Sequence, residues 1–435
     1  MSKPPETPPA RMLSSVLTCA LLCVVAYLAF GVLYQLFYSL AGLLPAPEPV
    51  PKDGALRRFA IFIAAYKEDR VIVETARRAL KQRYPRERFE VFVLADQLAP
   101  ATLAELARLD VRTLVMGFSE STKSKSLREG ILATRGKGFD AALVLDADNH
   151  MAADFLLEAN RYLAAGFRAV QGQRTAPPTA QTATATWDAI SEAVNNHILC
   201  AGHHAVGLSA RLAGSGMAFD FGLFDDVMQD VHAIGGFDKE LELKLTRRGE
   251  SIAYAPRAKV YDEKVSSPEV FARQRGRWLA AQYTYARRYL GAGLLALLRG
   301  RVDFANKAVQ MALPPRLLLP VGLLAGMSVA LPLSLEWSAV FASLLLLNVA
   351  SFALAIPPRM WRDASWMLVA KLPALVWQAC RSVAMIPASA KTFYHTPKGG
   401  EPRAPGGLSV MTVSEVLHGG HRPRGGGLPS PPKGE

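Results

Sequence analysis

The chain has 435 residues, half of them apolar, with 50 Lys plus Arg against 37 Asp plus Glu and a formal net charge of +13; that length holds one large domain with further elements, or two domains. Positive mean hydropathy argues against a purely soluble protein. Much of the basic excess flanks apolar blocks (Lys52, Arg57, Arg58, Arg299, Arg301, Arg359, Arg362, Lys391), which points to anionic lipid and away from nucleic acid, and four cysteines (Cys19, Cys23, Cys200, Cys380) make neither a disulfide framework nor a metal cluster.

Residues 1–11 are Pro-rich and read as a disordered tail. Residues 12–44 read as a transmembrane helix: no Lys, Arg, Asp or Glu occurs from Met12 to Pro47, which exceeds the ~20 residues that cross a bilayer. No clear small-residue cleavage site marks it as a signal peptide. Its later part carries Tyr27, Tyr34, Gln35 and Tyr38, suited to an interface or to helix packing.

Between 55 and 290 the pattern changes to short apolar runs alternating with amphipathic stretches. "RFAIFIAAY", "RFEVFVLAD", "DVRTLVMG" and "DAALVLDAD" read as strands. "DRVIVETARRALKQRY", "PATLAELARL" and "SKSLREGILATR" read as the helices between them. Such alternation predicts an α/β fold with a mostly parallel sheet covered on both faces, and ligands bind beyond the carboxyl ends of such strands. Tyr66 to Asp69, Asp96, the loop before Lys123, and Asp146 with Asp148 all fall at those ends.

Residues 302–390 read as a C-terminal membrane region, with spans at about 317–334 and 337–356. "WMLVAKLPALVWQACRSVAMIPA" (366–388) carries Lys371 and Arg381; charges inside a span are expensive, so this segment reads as interfacial or re-entrant. Residues 399–435 are Gly/Pro-rich and basic and read as a disordered tail. The positive-inside rule puts the 55–290 region in the cytoplasm, in a multi-pass protein of the inner (plasma) membrane.

Two groups carry chemistry. The pair Asp146 and Asp148 in "LVLDADNHM" brings two carboxylates to a strand end, where hard oxygen ligands suit Mg²⁺ or Mn²⁺ bridged to a diphosphate. In "RQRGRWLAAQ" (273–282) Gln274 and Trp278 share one helical face while Arg273 and Arg277 share a neighbouring one. Arginine suits bidentate phosphate contacts and Trp gives a flat surface for a sugar ring. His150, His197, His203 and His204 lack a complete metal-ligand spacing and are assigned no role; His150, beside the Asp146 loop, is the nearest to an exception.

An ordered series of motifs resembles the membrane-integrated glycosyltransferases of family 2, the group of the cellulose, chitin, hyaluronan and poly-N-acetylglucosamine synthases. "QRGRW" matches the Gln-X-X-Arg-Trp pattern, and "AAYKED", "VLAD", "KSKSLREG", "DAD", "GSGMAF", "YDEKVSSPEVFARQRGRW" and "FYHTPKG" follow the family's order. The resemblance covers about 12–398 and implies a GT-A fold. It implies that Tyr66, Glu68, Asp96, Lys123, Asp146 and Asp148 bind a nucleotide-diphosphate sugar, with Asp96 on the base and Asp148 and Asp146 on the metal. It implies that Gln274, Arg275, Arg277, Trp278, Gly214, Ser215 and Gly216 serve the diphosphate and acceptor.

One stretch, "GGFDKELELKL", departs from the family's Glu-Asp pair, whose Asp is the general base. Aligning "LEL" gives that role to Glu240, with Asp238 second. Asp238 suits an N-cap, and the helix dipole favours an ionised Glu240 in the first turn. The expected reaction is inverting transfer, from a donor expected to carry UDP, onto a polysaccharide at the cytoplasmic membrane face, processive and coupled to export with partner proteins possible. The alternatives are single-sugar transfer to a lipid, giving a glycolipid, and a non-catalytic membrane subunit.

Overall fold

A computed structural model describes residues 8–45, 47–176, 183–233, 235–262 and 268–363. The expected interfacial segment (366–388), the "FYHTPKG" motif, Cys380 and the C-terminal tail lie outside the described residues, as do residues 1–7. Helix α1 (Pro8–Ala41) begins inside the expected N-terminal tail.

The centre of the chain alternates as its apolar runs require. Strands β1 (Phe59–Tyr66), β2 (Phe89–Asp96), β3 (Arg112–Met116) and β4 (Ala141–Asp146) are separated by α2 (Ile72–Ala79), α3 (Pro100–Leu106) and α4 (Lys123–Thr134). β1, β2 and β4 are nearly continuous apolar runs because both faces of the sheet are covered. Helix α2 is shorter than its sequence pattern, ending at Ala79 where "QRYPRER" brings a proline.

After β5 (Asn149–Met151), α5 (Phe155–Ala164) and β6 (Ala169–Thr175), α6 (Ala183–Asn195) runs through a π-helical stretch, Asn196–Gly202, into the single turn α7 (His203–Ala205). Strand β7 (Met217–Asp220), α8 (Phe221–Met228), α9 (Phe237–Arg248) and β8 (Ile252–Asp262) complete an eight-stranded sheet of order β3-β2-β1-β4-β7-β6-β8-β5. β3 to β4 are mutually parallel, whereas β7 runs antiparallel to both β4 and β6. The register Tyr66↔Asp96↔Met116 and Ala64↔Asp146 aligns the carboxyl ends of four strands on one edge.

The long helix α10 (Pro268–Leu297) and α11 (Val302–Ala312) lead to α12 (Leu319–Ala330), α13 (Leu335–Ala355) and α14 (Pro358–Asp363). Among the described residues two helices, Thr18–Ala41 within α1 and Leu335–Ala355, are long and apolar enough to cross a membrane. The expected span over 317–334 is a helix of only 12 residues, about 18 Å long, short of the ~30 Å hydrocarbon core; Pro332 follows its end. α12 packs with α1 and α13 through Val32, Leu319, Leu323, Phe341 and Leu344. α1 also touches the π-helical stretch so closely that a Cβ on Gly202 would meet the Tyr38 carbonyl at 2.2 Å.

Candidate active site

The aligned strand ends build the site. Lys67 and Gln97, which immediately follow β1 and β2, both have φ of 55°, a left-handed backbone uncommon in non-glycine residues and concentrated at functional sites. Lys67 N donates to Asp96 O at 3.0 Å, so the two loops turn away together. Asp69 fixes the first loop to α3, accepting from Ala99 N and Thr102 Oγ1, both at 2.7 Å.

Asp96 is 1% exposed, and neither carboxylate oxygen has a well-formed hydrogen-bond partner among the described residues. Burial pushes its pKa up, while Ser121 and Lys67 pull the other way. A buried acceptor without a well-formed partner is costly, so this carboxylate is suited to take a hydrogen bond from a bound ligand.

Thr122 caps α4, its side chain accepting from Lys125 N at 3.2 Å, and Lys123 follows at the first helical position. Lys123 Nζ donates to Asp146 Oδ1 and, at 2.7 Å, to Gly214 O; it also lies 4.9 Å from the Phe237 ring centre. Gly214 and Gly216 take φ of 82° and 63°, which lets the 212–216 turn fold under the end of β4. Gly216 N donates to Val144 O at 2.9 Å, and Asp146 N donates to Ser215 Oγ at 3.0 Å.

Asp148 is buried beside Asn149. With its amide oriented to satisfy its neighbours, Asn149 accepts from Ser215 Oγ at 2.7 Å and donates to Asp148 at 3.3 Å and Asp262 at 3.0 Å. Asp262 accepts from Arg174 at 2.9 Å, and Arg174 also donates to Ala213 O at 2.9 Å. The carboxylates around Arg174, Asp262 foremost, hold its pKa up despite burial. Asn149, Arg174 and Asp262 were not apparent as site residues in the sequence: Asn149 pairs with Asp262 only through the antiparallel β5/β8 register.

Among the described residues no three His, Cys, Asp or Glu side chains lie together as a metal cluster. Asp146 ends β4 and Asp148 follows two residues later, and carboxylate oxygens of this kind suit a hard divalent cation completed by phosphate oxygens and water.

Asp238 and Glu240 part company. A Cβ on Gly214 would lie 3.9 Å from Asp238 Oδ2, which puts this carboxylate against the turn that receives Lys123. Glu240, 2% exposed, lies on another face of α9, with Lys244 Nζ at 3.3 Å and Arg288 at 3.5 Å. The backbone of Gln274, Arg275 and Arg277 is helical within α10, their side chains lying outside the described residues; Trp278 is 41% exposed. One turn later, α10 meets the start of α9: a Cβ on Gly236 would meet Ala281 Cβ at 2.8 Å, and Tyr285 OH donates to Gly235 O at 3.4 Å.

His197 and His203 face α1. His203 stacks on Tyr38 with ring centres 3.7 Å apart and meets Tyr34 OH at 2.9 Å; His197 Nε2 lies 2.8 Å from Ser39 O. His150 Nδ1 meets Arg78 at 3.1 Å.

Residues 57–281, more than half of the chain, match the family described as "Glycosyltransferase like family 2". Over 128 residues the chain is 30% identical to the beta-monoglucosyldiacylglycerol synthase of Trichormus variabilis, a match that spans 28% of this chain and 27% of that protein. The fold is similar to that of mannosyltransferase PcManGT from Pyrobaculum calidifontis, solved in complex with GDP-Man and Mn²⁺, with a TM-score of 0.54 and 18% identity over 84% of this chain and 98% of that one. The α/β fold is thus the GT-A fold expected from the motif series.

Proposed function

Because the chain belongs to the glycosyltransferase-like family 2, we propose that it transfers a sugar, with inversion, from a nucleotide-diphosphate donor to an acceptor at the cytoplasmic face of a cell membrane. The observation that carries this reading is the meeting of Lys123, Asp146 and Gly214 at the same strand edge as the orphaned carboxylate of Asp96. Asp96 accepts from the base of a donor carrying UDP, with Tyr66 and Glu68 beside it, and Lys123 addresses the diphosphate. Asp148, with Asp146, holds Mg²⁺ or Mn²⁺, which when bound offsets charge on the departing diphosphate.

Asp238 takes the proton from the acceptor hydroxyl. Its carboxylate adjoins Gly214, whereas that of Glu240 is engaged by two cations, and a base must be free to reach the hydroxyl. Asp238 thus takes precedence over Glu240, the reverse of the order that aligning "LEL" suggested. Gln274, Arg275, Arg277 and Trp278, on the helix that meets the start of α9 at Ala281 and Tyr285, serve the diphosphate and the acceptor sugar.

Two acceptors fit. "QRGRW" favours a growing polysaccharide, exported through the membrane helices with or without partner proteins. The glycolipid product named for the Trichormus relative, and two candidate spans among the described residues, favour a lipid receiving one sugar. A panel of labelled nucleotide-sugars supplied to membranes, with the product sized, tests the reading: transfer that disappears in Asp148→Ala supports it, and unchanged transfer in that variant overturns it. A ladder of products identifies the polysaccharide acceptor and a single labelled lipid the other.

A further inference from the structure

One enclosed ion pair lies behind the site. Lys307 of α11 and Glu242 of α9 are 0% and 1% exposed at their side chains, with Nζ and Oε1 3.1 Å apart. A buried pair of this kind commonly gives no more stability than apolar residues of the same volume, so its presence asks for another reason. Glu242 Oε2 supplies one: it accepts from Leu212 N at 2.7 Å.

Leu212 begins the turn that ends at Gly216. Ala213 N donates to Gln171 Oε1 at 2.8 Å, Ala213 O accepts from Arg174, and Gly214 O accepts from Lys123. The turn is thus held by side chains from β6, α4 and α9. Glu242 and Asp238 are four residues apart on one face of α9, and both meet this turn, at Leu212 and beside Gly214.

We propose that Glu242 is a positioning residue for sugar transfer: it clamps Leu212 so that the 212–216 turn and Asp238 keep their places at the donor, while Lys307 pairs with its other carboxylate oxygen. The proposal rests on the reading of this site as a donor site. The groups around Lys307 leave it to Glu242. Asp303 accepts from Ser209 N and Oγ, and Asn306 Oδ1 accepts from Tyr38 at 3.0 Å. His203 is held neutral, its pKa pushed well below 6.5 by burial and then by Lys307. Because Asn306 and Lys307 adjoin on α11, the clamp is anchored on the helix that α1 grips.

Two charge-neutral double variants isolate the clamp. Glu242→Gln with Lys307→Met keeps an acceptor for Leu212 N; Glu242→Leu with Lys307→Met removes it. The readouts are amide exchange of the 209–216 peptide and calorimetric binding of UDP and GDP with Mn²⁺ to the full chain in detergent. The expected result is near-native exchange and affinity for the Gln pair, with exchange about tenfold faster and affinity about tenfold weaker for the Leu pair at a similar melting temperature. Equal exchange and affinity in the two doubles would overturn the proposal, as would rapid exchange of this peptide in the native chain. If the Leu pair does not fold, Glu242→Asp, charged but one methylene short, is expected to show the same loosening, and native exchange in it refutes the clamp. A native chain that binds neither nucleotide fails the donor-site reading, while the exchange comparison still judges the clamp.

Discussion

Lys123 Nζ bonds Asp146 Oδ1, joining the first residue of α4 to the last residue of β4. A cation therefore already stands at the first carboxylate of the Asp-X-Asp pair, and its other hydrogen bond, to Gly214 O, ties it to the 212–216 turn. Charge-assisted bonds of this type are worth about 1.5–3 kcal/mol. Lys123→Met is expected to lower kcat/KM for the donor by about 10- to 100-fold, with little change in melting temperature. A donor kcat/KM within about twofold of native would remove Lys123 from the site.

Asp238 and Glu240 predict opposite phenotypes. Asp238→Asn keeps the shape but removes the proposed base, and kcat is expected to fall by about a hundred- to ten-thousand-fold with donor affinity retained. Glu240→Gln breaks contacts to Lys244 and Arg288 and is expected to cost about 1 kcal/mol of stability, leaving turnover per folded molecule near native. Steady-state kinetics paired with thermal unfolding separates the two, and the reverse pattern restores Glu240 as the base.

Asp96 is expected to couple donor binding to protons. Burial raises its pKa in the free protein, and a base N–H that bonds its carboxylate favours the ionised form. Donor binding is therefore expected to release protons, and affinity to rise with pH through the raised pKa and level off above it. Calorimetry in buffers of different ionisation enthalpy measures the release, and Asp96→Asn is expected to abolish it. Proton uptake by the native protein contradicts this assignment.

His203, which contacts α1 through Tyr34 and Tyr38, is expected to make the grip of α1 on the α/β domain sensitive to acid. Its folded-state pKa lies well below 6.5 because burial, then Lys307, disfavours the charged ring, and burial lowers that of His204 as well. A depressed folded pKa contributes stability that is present above the unfolded value and lost as pH falls. Each such histidine is expected to cost up to about 1.4 kcal/mol per pH unit below about 6.5. Melting temperatures between pH 7.5 and 5.5 test this: His203→Phe is expected to flatten the slope without abolishing it, and an unchanged slope contradicts the role.

The sequence by itself determined the alternating core, because β1, β2 and β4 are apolar runs that only a sheet covered on both faces can bury, with helical repeats between them. It also placed Asp96, Lys123, Asp146 and Asp148 at strand ends, since a parallel α/β chain returns each such end to one edge. The tertiary structure decided what depends on register and side-chain direction. Asn149 reaches Asp262 through an antiparallel pairing of residues far apart in the chain, and Glu242 reaches Leu212, 30 residues away in the chain, only through the packing of α9 against that turn. Asp238 and Glu240, two residues apart on a helix with 3.6 residues per turn, diverge by more than half a turn. That rotation turns one carboxylate toward Gly214 and the other toward Lys244 and Arg288, a choice fixed by how α9 packs and not by the residues it carries.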